Sequence, residues 1–305
     1  MFLDGQPAEG DWSSGWTAVL PSAEMRRGRL LTTVFSGVLA GTMGLISGGC
    51  GAGGGSSNPS AVAEVTQAAY VTSEGPGFKM DMTMSADIGG KSFSLSTSGA
   101  FDEHGRRGAM SETVNGKTVA TVMDLPYAYV QARGKLIKGK PWARFNVERY
   151  TQSLGVSGSL NTSSDPSQWI DFLKAAGQAS TVGLETLRGV PTTHYHVLVD
   201  LARFPAVVPA RLRVGAQEQA ALLKRISGQS NLPIDVWIDG SKRVRRYQVQ
   251  VPLCFKGERT SESVSVELYD YGTQSVPAPP PLSEVSDLTS EVDSNASHAL
   301  QQLHC

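Results

Sequence analysis

Three features of this chain have side-chain chemistry beyond packing: a cysteine behind an apolar run, two alternate histidines, and three alternate methionines. The cysteine is the most informative. Met25-Arg26-Arg27-Gly28-Arg29 supplies a basic cluster, Leu30 to Ile46 is an uncharged, mostly apolar run of 17 residues, and Ser47-Gly48-Gly49 places small residues before Cys50. A thiol in that setting accepts an acyl group: the signal is cleaved and the lipidated Cys50 becomes the mature N-terminus. Ser47 stands where a leucine is usual. An ordinary signal peptide and a single membrane span stay open beside the acylation reading, although Gly37, Gly41 and Gly44 make the run marginal as a span. Asp4, Glu9, Asp11 and Glu24 precede Met25, unlike the basic start of a signal. Residues 1–24 therefore read as a gene-start extension, 25–49 as a lipoprotein signal peptide and 50–57 as a Gly/Ser tether. The expected location is the extracytoplasmic face of the cell membrane, held there by a lipid on Cys50.

His194 and His196 share one strand face, which is compatible with a metal. No acidic or cysteine partner adjoins them in sequence, so a solvent face is the plainer reading, and no metal or other cofactor is expected. Asp81 and Asp87 lie too far apart to work as a catalytic pair. There is no Gly-x-Ser-x-Gly elbow, no Cys-x-x-Cys, no His-Glu-x-x-His and no phosphate loop, so the chain is not read as an enzyme. Lys plus Arg is 27 against 28 for Asp plus Glu, which argues against a nucleic-acid partner. Cys254 and Cys305 are too few for a disulfide framework; a bridge between them stays open. Arg133, Lys135, Lys138 and Lys140 on one turn, and Lys242, Arg243, Arg245 and Arg246 on another, suit either anionic headgroups or plain solvation.

The elements that position these groups are mostly strands. Phe78, Met80, Met82, Met84, Ala86 and Ile88 alternate with Lys79, Asp81, Thr83, Ser85 and Asp87, the period of a half-buried strand. Gly89-Gly90 gives a two-residue turn, and Phe93, Leu95, Thr97, Gly99 and Phe101 alternate in turn. Such a loop pairs Met84 with Leu95, Ala86 with Phe93 and Phe78 with Phe101, so both apolar sets share one face. Further strands are expected at 107–114, 117–124, 127–132, 142–145, 181–187, 193–201, 233–238, 244–251 and 263–271. About ten strands joined by short turns predict one antiparallel sheet large enough to curl. Helices are expected from Asn58-Pro59, over 146–154, from Asp165-Pro166 to Gly177, and over 216–226. Residues 58–272 form the domain. Prolines 277, 279, 280 and 281 open an acidic tail, and 273–305 reads as largely disordered with a weak terminal helix.

FKMDMTMSADI (78–88), GKPWARFNVERY (139–150), DPSQWIDFLKAAG (165–177), ETLRGVPTTHYHVLVDL (185–201) and LPIDVWIDGSKRVRRYQVQV (232–251) resemble the LolA-like envelope lipoproteins, especially the LppX/LprG type. The resemblance covers 58–271; the Pro205–Val214 insert and the proline-rich tail fall outside it. It implies an α+β fold: a curled antiparallel half-barrel with helices over its concave face and an apolar cavity between them that holds lipid acyl chains. Three alternate thioethers adapt to irregular apolar partners, and the resemblance sets that reading beside plain core packing. It makes Phe78, Met80, Met82, Met84, Phe93, Leu95, Trp169, Phe172, Leu173, Leu222 and Leu223 the cavity candidates. The expected function is to bind, carry or present a lipid or lipoglycan. The competing expectations are an envelope sensor acting through a protein partner and a surface scaffold filled by its own side chains.

Overall fold

The computed structural model describes residues 58–88, 91–102, 107–114, 117–131, 139–155, 167–255 and 258–294. The chain enters through helix α1 (Pro59–Ser73), which Asn58 caps by accepting the Ser60 N–H at 3.0 Å, with Pro59 in the first turn. Ala61, Val65, Ala68, Ala69 and Thr72 make its buried stripe. Gly77 then turns the chain at φ 110; a Cβ there would sit 2.5 Å from the Phe101 carbonyl oxygen, so only glycine fits.

Strands β1 (Phe78–Ile88) and β2 (Lys91–Phe101) pair in the register expected from the turn: Phe78 with Phe101, Met84 with Leu95, Ala86 with Phe93. The meander continues through β3 (Arg107–Val114), β4 (Lys117–Asp124), β5 (Tyr127–Gln131) and β6 (Trp142–Asn146). Asn146 ends β6 and caps α2 (Val147–Ser153), accepting the Arg149 N–H at 3.0 Å. Helix α3 (Ser167–Leu173) precedes β7 (Ala176–Leu187) and β8 (Val190–Asp200). The insert forms α4 (Phe204–Val207) and a short 3₁₀ turn that runs into α5 (Arg213–Ser227), closed by Gly228 at φ 70. Strands β9 (Asn231–Asp239), β10 (Val244–Phe255) and β11 (Glu258–Tyr269) follow, and β12 (Val285–Asp287) comes last.

The 12 strands of the described residues, against about ten expected, form one curled, unclosed sheet in the order β12-β6-β5-β4-β3-β2-β1-β11-β10-β9-β8-β7. The fold is α+β, as expected. Chain-distant β1 and β11 meet at its middle, with Met80 opposite Leu268 and Met82 opposite Val266. Every pairing is antiparallel except β12 on β6. At the other edge β7 carries two bulges, at 176/178 and 181/183.

Two expectations need correction. The helix from Asp165 was to run to Gly177. Instead α3 stops at Leu173, where Lys174 and Ala175 donate to the carbonyls of Asp171 and Phe172 and tighten the last turn. Ala176 then pairs with Val199 as the start of β7. The second concerns the tail. Its proline-rich stretch crosses to the far edge, Arg107 donating to the Val276 carbonyl. Val285–Asp287 then adds a strand, and a helical segment over 289–294, where a weak terminal helix was expected, sits with Leu288 and Val292 buried in the main core. Proline content and net negative charge signal disorder when apolar anchors are lacking, and here Val285, Leu288 and Val292 supply them. Residues 1–57 and 295–305 lie outside the described residues, as do the Gly89-Gly90 and Asn115-Gly116 turns.

Candidate functional site: the helix-covered face and its polar insertions

The inward side chains of the sheet pack with the helices into one large core. Coverage is uneven. Helix α1 lies on β7, β8, β9 and β10, α3 on α1 and β8, and α5 on β10. Strands β1–β4 present their inward side chains beyond these contacts. Register places Tyr247, Val266, Met82, Thr97, Glu112 and Val119 in one row across β10, β11, β1, β2, β3 and β4. Met82, Met84, Met110 and Val119 are half-buried and pack against the core, whereas Phe78, Met80, Leu95, Phe101 and Met123 on the same face are buried.

The candidates fall into two groups. Phe78, Met80, Phe172 and Leu173 are fully enclosed, and Leu95 is buried. Phe78 packs on Phe101 with ring centroids 5.7 Å apart, and Phe172 stacks on Phe204 at 4.1 Å. Met82, Met84, Trp169 and Leu223 are only partly covered, and Leu222 is half-exposed outside the core cluster. Phe93 pairs in register with Ala86, and its side chain lies outside the described residues, as does Cys50. Phe204, Met110 and Val119 were not among the candidates. The first stands in a short connection with no strand or helix period, and weak alternation in β3 and β4 hid the others.

Four polar groups, Thr97, Glu112, Thr121 and Glu262, interrupt the apolar face. Thr97 is 2% exposed, and its hydroxyl has no partner among the described residues. Glu112 stands opposite it in register and accepts a hydrogen bond from the Thr121 hydroxyl at 3.3 Å. Burial pushes the Glu112 carboxyl up, and the Thr121 bond opposes this. Glu262 is 8% exposed, between Val251 and Ala86 in register, and burial pushes it up to about 8. The signal was present in the sequence: a glutamate at an apolar parity position, as in Glu262-x-Val264-x-Val266-x-Leu268.

Elsewhere, charges are consumed by the fold. His194 Nδ1 lies 3.0 Å from Glu185, and its Nε2 3.1 Å from the Asp235 oxygen that His196 Nδ1 also meets at 3.1 Å. The histidines therefore have the acidic neighbours that sequence adjacency did not reveal. No group of three or more His, Cys, Asp or Glu among the described residues is placed to hold a metal. Lys242 binds Glu64, Arg245 faces Asp239, Arg246 binds Glu267 and Arg243 lies over the Tyr271 ring. Of the other basic turn, Lys140 donates to the Val285 carbonyl; Arg133, Lys135 and Lys138 lie outside the described residues. Asp81 takes Arg188 and the Tyr269 hydroxyl. A cleft of about 470 Å³ opens between α1 and the turns ending β7–β8 and β9, lined by Glu64, Tyr195, Asp239 and Lys242 among others. Among the described residues no helix is long and apolar enough to cross a membrane.

No family model matches the chain. A Streptomyces griseus protein, described as an uncharacterized 31.2 kDa protein of the rplA-rplJ intergenic region, is 29% identical over 157 residues. That match covers 49% of this chain and 48% of the relative, so the chain spans about half the length of the protein it matches. Among solved structures, lipoprotein LppX of Mycobacterium tuberculosis is similar at a TM-score of 0.42 and 14% identity, covering 73% of this chain and 100% of that one. LprF of Mycobacterium bovis gives 0.42 and 15%, covering 74% and 100%. LolA-superfamily proteins are also among the similar structures. LppX and the LolA superfamily are names that the sequence resemblance also carried.

Proposed function

We propose that this chain is an envelope lipoprotein, acylated at Cys50 on the outer face of the cell membrane, that binds, carries or presents a lipid or lipoglycan. One observation carries the reading: Met82, Met84, Met110 and Val119 on the helix side of β1–β4 are left half-buried while the helices gather over β7–β10. An acyl chain laid along Met82, Met84, Met110 and Val119 would gain about 0.8 kcal/mol per buried CH₂, and the methionines would adapt to its shape. The sequence resemblance supports the same reading. Native mass spectrometry of protein purified from membranes without detergent exchange tests it. A bound species of lipid mass, lost on organic extraction and regained from a lipid extract, is the expected result. Protein that is bare from membranes and takes up nothing would overturn it.

The scaffold reading has its own observation. Phe78, Met80, Phe172 and Leu173 are enclosed, so that part of the half-barrel is filled by the chain itself. It predicts the bare protein in the same measurement.

A further inference from the structure

We propose that Thr97, Glu112 and Thr121 are the polar end of the ligand site, and that they take a neutral amphiphile by a hydroxyl of its head group. The inference rests on the lipid-binding reading and names the ligand's chemistry. Thr97 is enclosed at 2% exposure, yet its hydroxyl has no partner among the described residues. A buried donor left unpaired is unfavourable, so its retention on an apolar face points to a partner that arrives from outside the chain. Glu112 is opposite in register, and its one described bond is that from Thr121, which leaves further acceptor positions open. Met82, Met110 and Val119 surround the group and are half-buried, so the site adjoins the surface already assigned to acyl chains.

A hydroxyl both donates and accepts. It can give its proton to a Glu112 oxygen and receive the Thr97 hydroxyl proton, satisfying both groups at once. A phosphate suits the site badly: the side chains described around it, Met82, Thr97, Met110, Glu112, Val119 and Thr121, include no lysine or arginine, and the ionisable group among them is a carboxyl; Lys91 and Lys117, which register puts on the same face, have side chains outside the described residues. An ammonium group would need the ionised carboxylate, which burial disfavours at Glu112. A neutral, hydroxyl-bearing head is what remains, whether glycerol or sugar.

The test measures binding of four dioleoyl or trioleoyl probes to the delipidated full chain: dioleoylglycerol, its galactosyl form, dioleoylphosphatidic acid and trioleoylglycerol, which has no hydroxyl. The first two should bind about tenfold more tightly than the other two. Thr97→Val should weaken the two hydroxyl-bearing probes by about tenfold, leave trioleoylglycerol within about twofold, and raise the melting temperature by removing the unpaired hydroxyl. Glu112→Met is the second variant and should act on the same two probes. Phosphatidic acid binding as tightly as dioleoylglycerol, or unchanged selectivity in folded Thr97→Val, would overturn the assignment while leaving lipid binding intact. Preference for the galactosyl form over dioleoylglycerol would assign the hydroxyl to a sugar and the reverse to glycerol. Failure of all four to bind overturns this inference and the proposed function together.

Discussion

The ring of Phe172 stacks on that of Phe204, centroids 4.1 Å apart and planes 27° from parallel. One ring comes from α3 and the other from Phe204, the residue just before the Pro205–Val214 insert, so the start of α4 completes the core against α3. Both rings are fully enclosed. Phe204→Ala should cost about 3–5 kcal/mol in urea unfolding, the range for deleting a buried aromatic. A loss under about 1 kcal/mol would mean that α4 merely rests on the domain.

The pH dependence of stability should carry the mark of Glu262. Its carboxyl titrates near 4.5 when unfolded and is pushed up to about 8 by burial in the fold. Between those values the unfolded chain has released the proton and the folded chain has not. Stability therefore declines as pH rises from about 4.5 to about 8 and levels off above. Glu112, also raised by burial, adds in the same direction. Glu64, held down chiefly by Lys242, and Glu267, which burial would raise but Arg246 and Arg188 hold down, act oppositely and lose their contribution in acid. Urea unfolding at about pH 5 and about pH 9 should differ by a few kcal/mol, and Glu262→Gln should remove most of the difference. An unchanged slope in that variant would place the titration elsewhere.

The sheet's two faces predict unequal outcomes for one charge. Met80 is enclosed on the helix side and Thr83 is exposed on the other. Met80→Asp buries a carboxyl without a partner and should unfold the domain or cost more than about 4 kcal/mol. Thr83→Asp should stay within about 0.5 kcal/mol. Equal thermal shifts would contradict the facing.

The ion network on the outer face should matter little. Arg188 binds Asp81 and Glu267, and Arg246 binds Glu267, but the Arg188 side chain is 43% exposed. Arg188→Ala is expected to cost no more than about 1 kcal/mol, less at high salt. A cost of several kcal/mol would show the network to be shielded from solvent.

The tail supplies the last case. Leu288→Asp puts a charge where the terminal turn meets the core, so β12 should detach from β6 while the main sheet persists. Limited proteolysis should then cut within 270–290 at far lower protease concentration, leaving a stable core fragment. Uncut protein under those conditions would show that Leu288 is not what holds the segment.

The central hairpin was legible because two independent signals agreed: side-chain period and turn length fixed Met84 opposite Leu95. The β1–β11 pairing, which brings Met82 to Val266, was not legible, since nothing local selects between chain-distant strands. The tail was misread because composition averages over a segment, whereas Val285, Leu288 and Val292 are single anchors inside it. Thr97 and Glu112 escaped notice for a related reason. Each looks like ordinary strand alternation until register shows them side by side on an apolar face.

An open sheet has two rims, and each offers unpaired backbone groups to another chain. This one blunts them differently. At one rim the outermost strand is three residues long and runs parallel to its neighbour, too short a template for a lengthy incoming strand. At the other, two bulges break the spacing of donors and acceptors along β7, although Leu184 there is 85% exposed. The half-barrel can thus stay unclosed without recruiting copies of itself into a fibre; lateral growth is refused by strand length on one side and by broken periodicity on the other.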